Sequence, residues 1–165
     1  MNKYSTQGFT LIEVLVSIII LSIGVLGITA LQMRGLDGNR NALLRVQASQ
    51  LASDLIARIE VNGATTYGPV SLGDVPTVPT DCTISNCTPT QLAQFDTTQW
   101  LCSINSIAAD GTTFPACQGL SITGTLPLGQ ASLTLVDDEY DIKIEWSDIK
   151  SSQTRTVELF MQVPL

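Results

Sequence analysis

Apolar and polar positions divide the chain into regimes with different periods. From Val14 to Met33 run 20 residues without a charge, mostly Ile, Leu and Val. A helix of that length spans roughly 30 Å, the hydrocarbon thickness of a bilayer. A secretory signal would carry a shorter apolar run ending at a small-residue cleavage site. Here the run passes instead, near Leu36, into an amphipathic stretch. In it Leu44, Ala48, Leu51, Leu55 and Ile59 recur at steps of three and four, with Leu43, Ala52 and Ile56 beside them. That is one apolar face of a helix, and Arg40, Arg45, Asp54, Arg58 and Glu60 fall mainly on its other faces. Asn62-Gly63 supplies a stop. The pattern predicts one helix from about Phe9 to Val61, roughly 80 Å long.

The carboxyl end switches to a period of two. Tyr140, Ile142, Ile144 and Trp146 alternate with Asp141, Lys143 and Glu145, and Val157, Leu159, Met161 and Val163 alternate with Glu158 and Gln162, Phe160 falling out of pattern. These segments read as strands. Leu133 and Leu135 mark a third, and Leu120–Leu126 a weaker fourth ending at Pro127-Leu128-Gly129. An antiparallel sheet with one apolar face needs a cover, and the amphipathic half of the helix provides it. The expected fold is α+β, a long helix packed across an antiparallel sheet. Tyr140 and Trp146 are then core residues. Between helix and sheet, residues 63–119 are rich in Thr, Ser, Pro and Gly, which predicts irregular backbone with helical turns around Gln91–Phe95 and Gln99–Ile104.

So long a connection in a compact domain is functional or stapled. It holds all four cysteines, Cys82, Cys87, Cys102 and Cys117. Spacing favours the bridges Cys82–Cys87 and Cys102–Cys117, although four cysteines allow three connectivities. A zinc site of four thiolates is the alternative, weakened because C-x4-C has no second close pair. No C-x-x-C redox motif exists. Structural disulfides suit a domain that lies across the membrane from the amino terminus, in an oxidising compartment.

Charge narrows the chemistry further. The chain has 165 residues, net charge −7 and no histidine, with 14% of residues charged against about 25% in an average soluble domain. Eight Lys/Arg neutralise few phosphates, so nucleic acid is not an expected partner. Without histidine, and with its cysteines bridged, the chain lacks the usual nucleophile–base pairs, and no enzyme activity or cofactor is expected. No Lys or Arg occurs between Arg58 and Lys143. The acids there read as a solvated surface. Calcium at Asp137-Asp138-Glu139-x-Asp141 is a sharper alternative that lacks a helix-loop-helix frame.

Glu13 is the anomaly at the amino end. It precedes the uncharged run by one residue, with Phe9, Leu11 and Ile12 on its other side. A carboxylate at that depth is costly unless paired, although the start of a helix favours an acid. No cation of this chain lies nearby, but cleavage after Gly8 would create an amino group on Phe9. Gly8-Phe9-Thr10-Leu11-Ile12-Glu13-Val14-Leu15 resembles the class III signal of type IV pilins and pseudopilins. The resemblance implies that a prepilin peptidase cuts between Gly8 and Phe9 and methylates Phe9, and that Glu13 docks the subunit against a neighbour's amino terminus. It also implies local melting of the helix in a fibre, for which Gly24, Gly27, Gly35 and Gly38 are candidates.

Cys82 and Cys87 before Trp100, the Leu126-Pro127-Leu128-Gly129 turn and the Tyr140-x-Ile142-x-Ile144-x-Trp146 strand are similar to the minor pilins of the PilV, or pilus-modification, family. That likeness implies a subunit that primes type IV pilus assembly with other minor pilins and the major pilin, at an inner-membrane assembly platform. A role in adhesion and twitching motility goes with it. The alternative is a minor pseudopilin of a type II secretion system. The expected layout is a cleaved leader (1–8), a transmembrane and assembly helix (9–33), an amphipathic half (34–62) and a globular domain (63–165). The subunit would cross the inner membrane with that domain in the periplasm, then enter a surface pilus.

Overall fold

The computed structural model describes residues 8–63, 66–137, 139–148 and, as backbone, 155–164. Lys3 and the rest of the leader before Gly8, and Asp138 of the acidic cluster, lie outside the described residues. Helix α1 runs from Leu11 to Asn62, followed by α2 (Pro89–Ile104), α3 (Pro115–Gly119) and strands β1 (Gln130–Val136), β2 (Glu139–Asp148) and β3 (Arg155–Pro164). The chain divides into two compact units, Met1–Arg40 and Asn41–Leu165.

The first unit is helical from Leu11 onward, and every side chain from Gly8 to Leu36 is exposed. The helix is long and apolar enough to cross a membrane. Its hydroxyls turn inward: Ser17, Ser22 and Thr29 donate to the carbonyls of Glu13, Ile18 and Val25 at 2.7, 2.7 and 2.8 Å. Such bonds to the preceding turn satisfy a polar group without water.

In the second unit α1 continues as an amphipathic helix. Leu44, Ala48, Ala52, Leu55 and Ile59 are buried, with Leu51 and Ile56 half-buried beside them. Leu43, expected to flank this face, is exposed. Gly63 ends the helix with φ +92°, and its N–H donates to the Ile59 carbonyl at 2.9 Å. A left-handed residue just past the last turn closes a carbonyl that the helix leaves open.

The sheet is antiparallel with order β1-β2-β3. Among the described residues its buried apolar side chains are Ala131 and Leu133 from β1 and Tyr140, Ile142, Ile144 and Trp146 from β2, in one core with the α1 face, Trp100 and Ile104. Leu135 is half-exposed near the end of β1. The β2–β3 register sets Val157, Leu159, Met161 and Val163 opposite Trp146, Ile144, Ile142 and Tyr140. This is the expected α+β arrangement.

Two further local expectations differ from the structure. Residues 89–104 form one helix rather than separate turns. Thr88 and Gln91 make a reciprocal capping box, Pro89 takes the first helical position, and no later Gly or Pro interrupts. Leu120–Leu126 is not a strand. Its end turns to the open carbonyls of α2: Thr125 N–H donates to Ser103 and Leu126 N–H to Ile104, both at 3.0 Å. The last carbonyls of a helix lack internal partners, and this segment supplies them. Gly124 allows the approach, since a Cβ there would lie 2.5 Å from Asn105 Cα.

Candidate functional site

The residues singled out at the amino end lie together at the start of the first unit. Gly8 and Phe9 are non-helical, and Phe9 is 83% exposed. Thr10 opens the helix, its carbonyl accepting from the N–H groups of Glu13 and Val14 at 3.1 and 3.3 Å. Glu13 therefore falls in the first turn, at the positive end of the helix dipole, which favours a carboxylate. Around it Leu11, Ile12, Val14 and Leu15 are all exposed. The arrangement is a short non-helical segment followed by a single acid at the head of an apolar helix.

The four cysteines belong to the second unit. Cys82 pairs with Cys87 and Cys102 with Cys117, across sequence separations of 5 and 15. The first bridge closes a surface loop. The second is fully buried and ties α2 to α3. Thiolates committed in this way are not available to a metal.

A polar cluster joins α1 to α2, and no local pattern of residues announces it. Arg58 donates from Nε to Asp54 Oδ2 at 3.0 Å and from Nη1 to Asp96 Oδ1 at 2.9 Å and Gln99 Oε1 at 2.8 Å. The other Asp96 oxygen accepts the Tyr67 hydroxyl at 2.7 Å. Burial, and then the Asp96 carboxylate beside it, push the Tyr67 phenol far above its usual range, so it stays a neutral donor. Nearby, Trp100 Nε1 donates to the Leu51 carbonyl at 3.0 Å, Asn62 Nδ2 to Pro89 O at 2.9 Å and the Tyr140 hydroxyl to Tyr67 O at 3.1 Å. Arg58 and Asp96 stand 38 residues apart, too far for any local pattern to link them.

This cluster carries structure rather than chemistry. Arg58→Ala removes the charged donor of a buried carboxylate, and we expect a loss of about 1–3 kcal/mol. Thermal unfolding of the full chain in detergent measures it. Arg58→Lys recovers little, because a single ammonium nitrogen cannot stand at the two separate places from which Nε and Nη1 of the planar guanidinium reach Asp54, Asp96 and Gln99. Unchanged unfolding in Arg58→Ala would mean that Tyr67 alone satisfies Asp96.

An exposed apolar helix that continues into the core of an α+β domain defines a pilin-like fold. Residues 3–29 match the family model of the prokaryotic N-terminal methylation motif. Residues 30–98 match the Tt1218-like model, described as type IV pilin Tt1218. No curated protein and no solved structure matches the chain significantly. The two adjoining matches support the type IV pilin superfamily and a pilin-type subunit, a structural class of protein. Motif and apolar helix fit membrane anchoring and pilus assembly, with the pilus assembly machinery as the general partner.

Proposed function

We propose that this chain is a minor pilin that helps prime type IV pilus assembly. In this reading residues 1–8 are a leader that a prepilin peptidase removes, leaving Phe9 as an N-methylated terminus. Residues 9–33 hold the subunit in the inner membrane, 34–62 form the amphipathic half of the helix, and 63–165 complete a periplasmic domain. Lys3, the leader's only charged side chain, keeps the amino end in the cytoplasm. The observation that carries the reading is Glu13, four residues after Phe9, in the first turn of a helix whose apolar residues are exposed as far as Leu36.

An unpaired carboxylate in hydrocarbon is costly, and an amine on a neighbouring subunit's Phe9 removes that cost. The subunit thus gains on leaving lipid for the helical core of a fibre. Other minor pilins, the major pilin and the inner-membrane assembly platform are the partners. The likeness to the PilV family, in Cys82, Cys87, Trp100 and the Tyr140–Trp146 strand, supports the minor role. Trp100, Tyr140, Ile142, Ile144 and Trp146 are all core residues.

The first test is mass spectrometry of fibres sheared from native cells, read for a peptide beginning at N-methylated Phe9. Its presence supports cleavage, methylation and export together. Its confinement to the inner membrane would favour the minor pseudopilin of a type II secretion system instead. Met1 still attached, in cells with an active peptidase, would overturn the pilin reading. Glu13→Ala should be cleaved normally yet recovered in fibres at a small fraction of the wild-type level, quantified by immunoblot. Equal recovery would remove the pairing role from Glu13.

A further inference from the structure

The two edges of the sheet differ. At the β1 edge Val70 and Leu133 exchange both backbone bonds, at 2.8 and 2.9 Å. At the far edge β3 pairs with β2 over all ten of its residues without a bulge. Among the described residues nothing pairs with its other side. The register fixes which backbone groups lie there. In an antiparallel ladder the N–H and C=O of one residue share a side, and that side alternates along the strand. Leu133 bonds outward to Val70, so Ser132 and Thr134 bond to Lys143 and Asp141 of β2. Ile142 and Ile144 then bond to Met161 and Leu159 of β3.

The backbone N–H and C=O of Thr156, Glu158, Phe160 and Gln162 therefore point away from the sheet, an array about 20 Å long. Pro164, which has no N–H to offer, falls in the same outward series, where a strand tolerates proline. An edge of this kind is a template for another strand unless something blunts it. The ten residues of β3 hold no Lys, no interior Pro and no bulge, and the strand is about twice the usual length. Phe160, out of step with the period of two, makes Leu159-Phe160-Met161 a continuous apolar stretch of high strand propensity.

We propose that the outer edge of β3 receives an extended strand of a different protein, apolar at alternate positions and carrying Lys or Arg opposite Glu158. Backbone bonds hold such a strand, and its alternate side chains select it. Glu158 already stands opposite Glu145 in the register. Like charges in that relation are unfavourable, so a cation on the added strand relieves the pair. The net charge of −7 favours a basic guest in the same sense and disfavours a second copy of this chain. The contact is separate from the amino-terminal helix and does not rest on the role of that helix in a fibre.

The probe is a fluorescent peptide, acetyl-Ser-Val-Lys-Val-Thr-Val-Ser-amide, titrated against the full chain in detergent and followed by anisotropy and by amide hydrogen exchange. Saturable binding is expected, with slowed exchange at Thr156, Glu158, Phe160 and Gln162. Methylating the peptide's own backbone nitrogens should weaken binding about tenfold or more, and replacing its Lys by Glu about threefold. Gln162→Pro removes one outward N–H and no bond to β2, so it should unfold like the parent yet bind about tenfold less. The methylated peptide tests the same point on the unaltered chain. No saturable binding, equal binding of the methylated peptide or by Gln162→Pro, or protection confined to other amides would overturn the proposal. So would protection of the same four amides in the chain alone as its concentration rises, which would assign the edge to a second copy.

Discussion

Gly8→Phe leaves the chain at full length in the membrane, with no peptide beginning at methylated Phe9 and no recovery in fibres. Among the described residues nothing lies within 4 Å of the position a Cβ would take at Gly8, so the substitution disturbs no packing among them. A peptidase, by contrast, must lay the backbone of residues 8 and 9 against its own surface, and a side chain there holds the two apart. The expected loss is nearly complete, because an uncleaved subunit has no amino group on Phe9 to offer a neighbouring Glu13. Intact-mass measurement decides it: a chain still carrying residues 1–8 supports the assignment. Normal processing of Gly8→Phe would refute the cleavage site and remove the amine on which the role of Glu13 rests.

Loss of the Cys102–Cys117 bridge is the largest stability change we expect from the domain. Its separation of 15 residues corresponds to about 3 kcal/mol of chain entropy, against about 2 kcal/mol for the separation of 5 at Cys82–Cys87. Packing widens the gap. Cys102 and Cys117 are wholly buried, so replacing both by Ala also removes core contacts, whereas the Cys82–Cys87 loop lies at the surface. The double variant Cys102→Ala/Cys117→Ala should melt well below Cys82→Ala/Cys87→Ala in calorimetry of the full chain in detergent. Equal melting would show that loop length and burial do not govern these bridges.

The features legible in the sequence are those with a short period or a short spacing. Ile144 and Trp146 alternate with charged residues, and Leu44, Ala48, Leu55 and Ile59 recur at helical steps, because each segment buries one face only. Nearness in sequence favoured Cys82 for Cys87 and Cys102 for Cys117. The missing pieces depend on partners distant along the chain. Leu120–Leu126 looks like a strand until its backbone meets the end of α2, which no local pattern announces. Arg58 reads as a helix-surface cation until Asp96 and Gln99 arrive from the far side of the disulfide loop. The α2 helix stands between the two cases: Thr88-x-x-Gln91 was a readable cap, obscured by the Thr- and Pro-rich composition around it. At the amino end the motif itself was readable, since Gly8, Phe9 and Glu13 lie within six residues.

The inward-turned hydroxyls of Ser17, Ser22 and Thr29 give the apolar segment an unusual indifference to its surroundings. Each already has its partner on the preceding turn, so passage from one water-free medium to another neither breaks nor makes a bond at these positions. Acyl chains and the side chains of neighbouring helices are, for that stretch, nearly equivalent solvents. Glu13, the only charged residue from Phe9 to Met33, is where the two media differ. On the proposed reading, the preference between bilayer and fibre is concentrated at one end of the segment, and loss of that single carboxylate would abolish it.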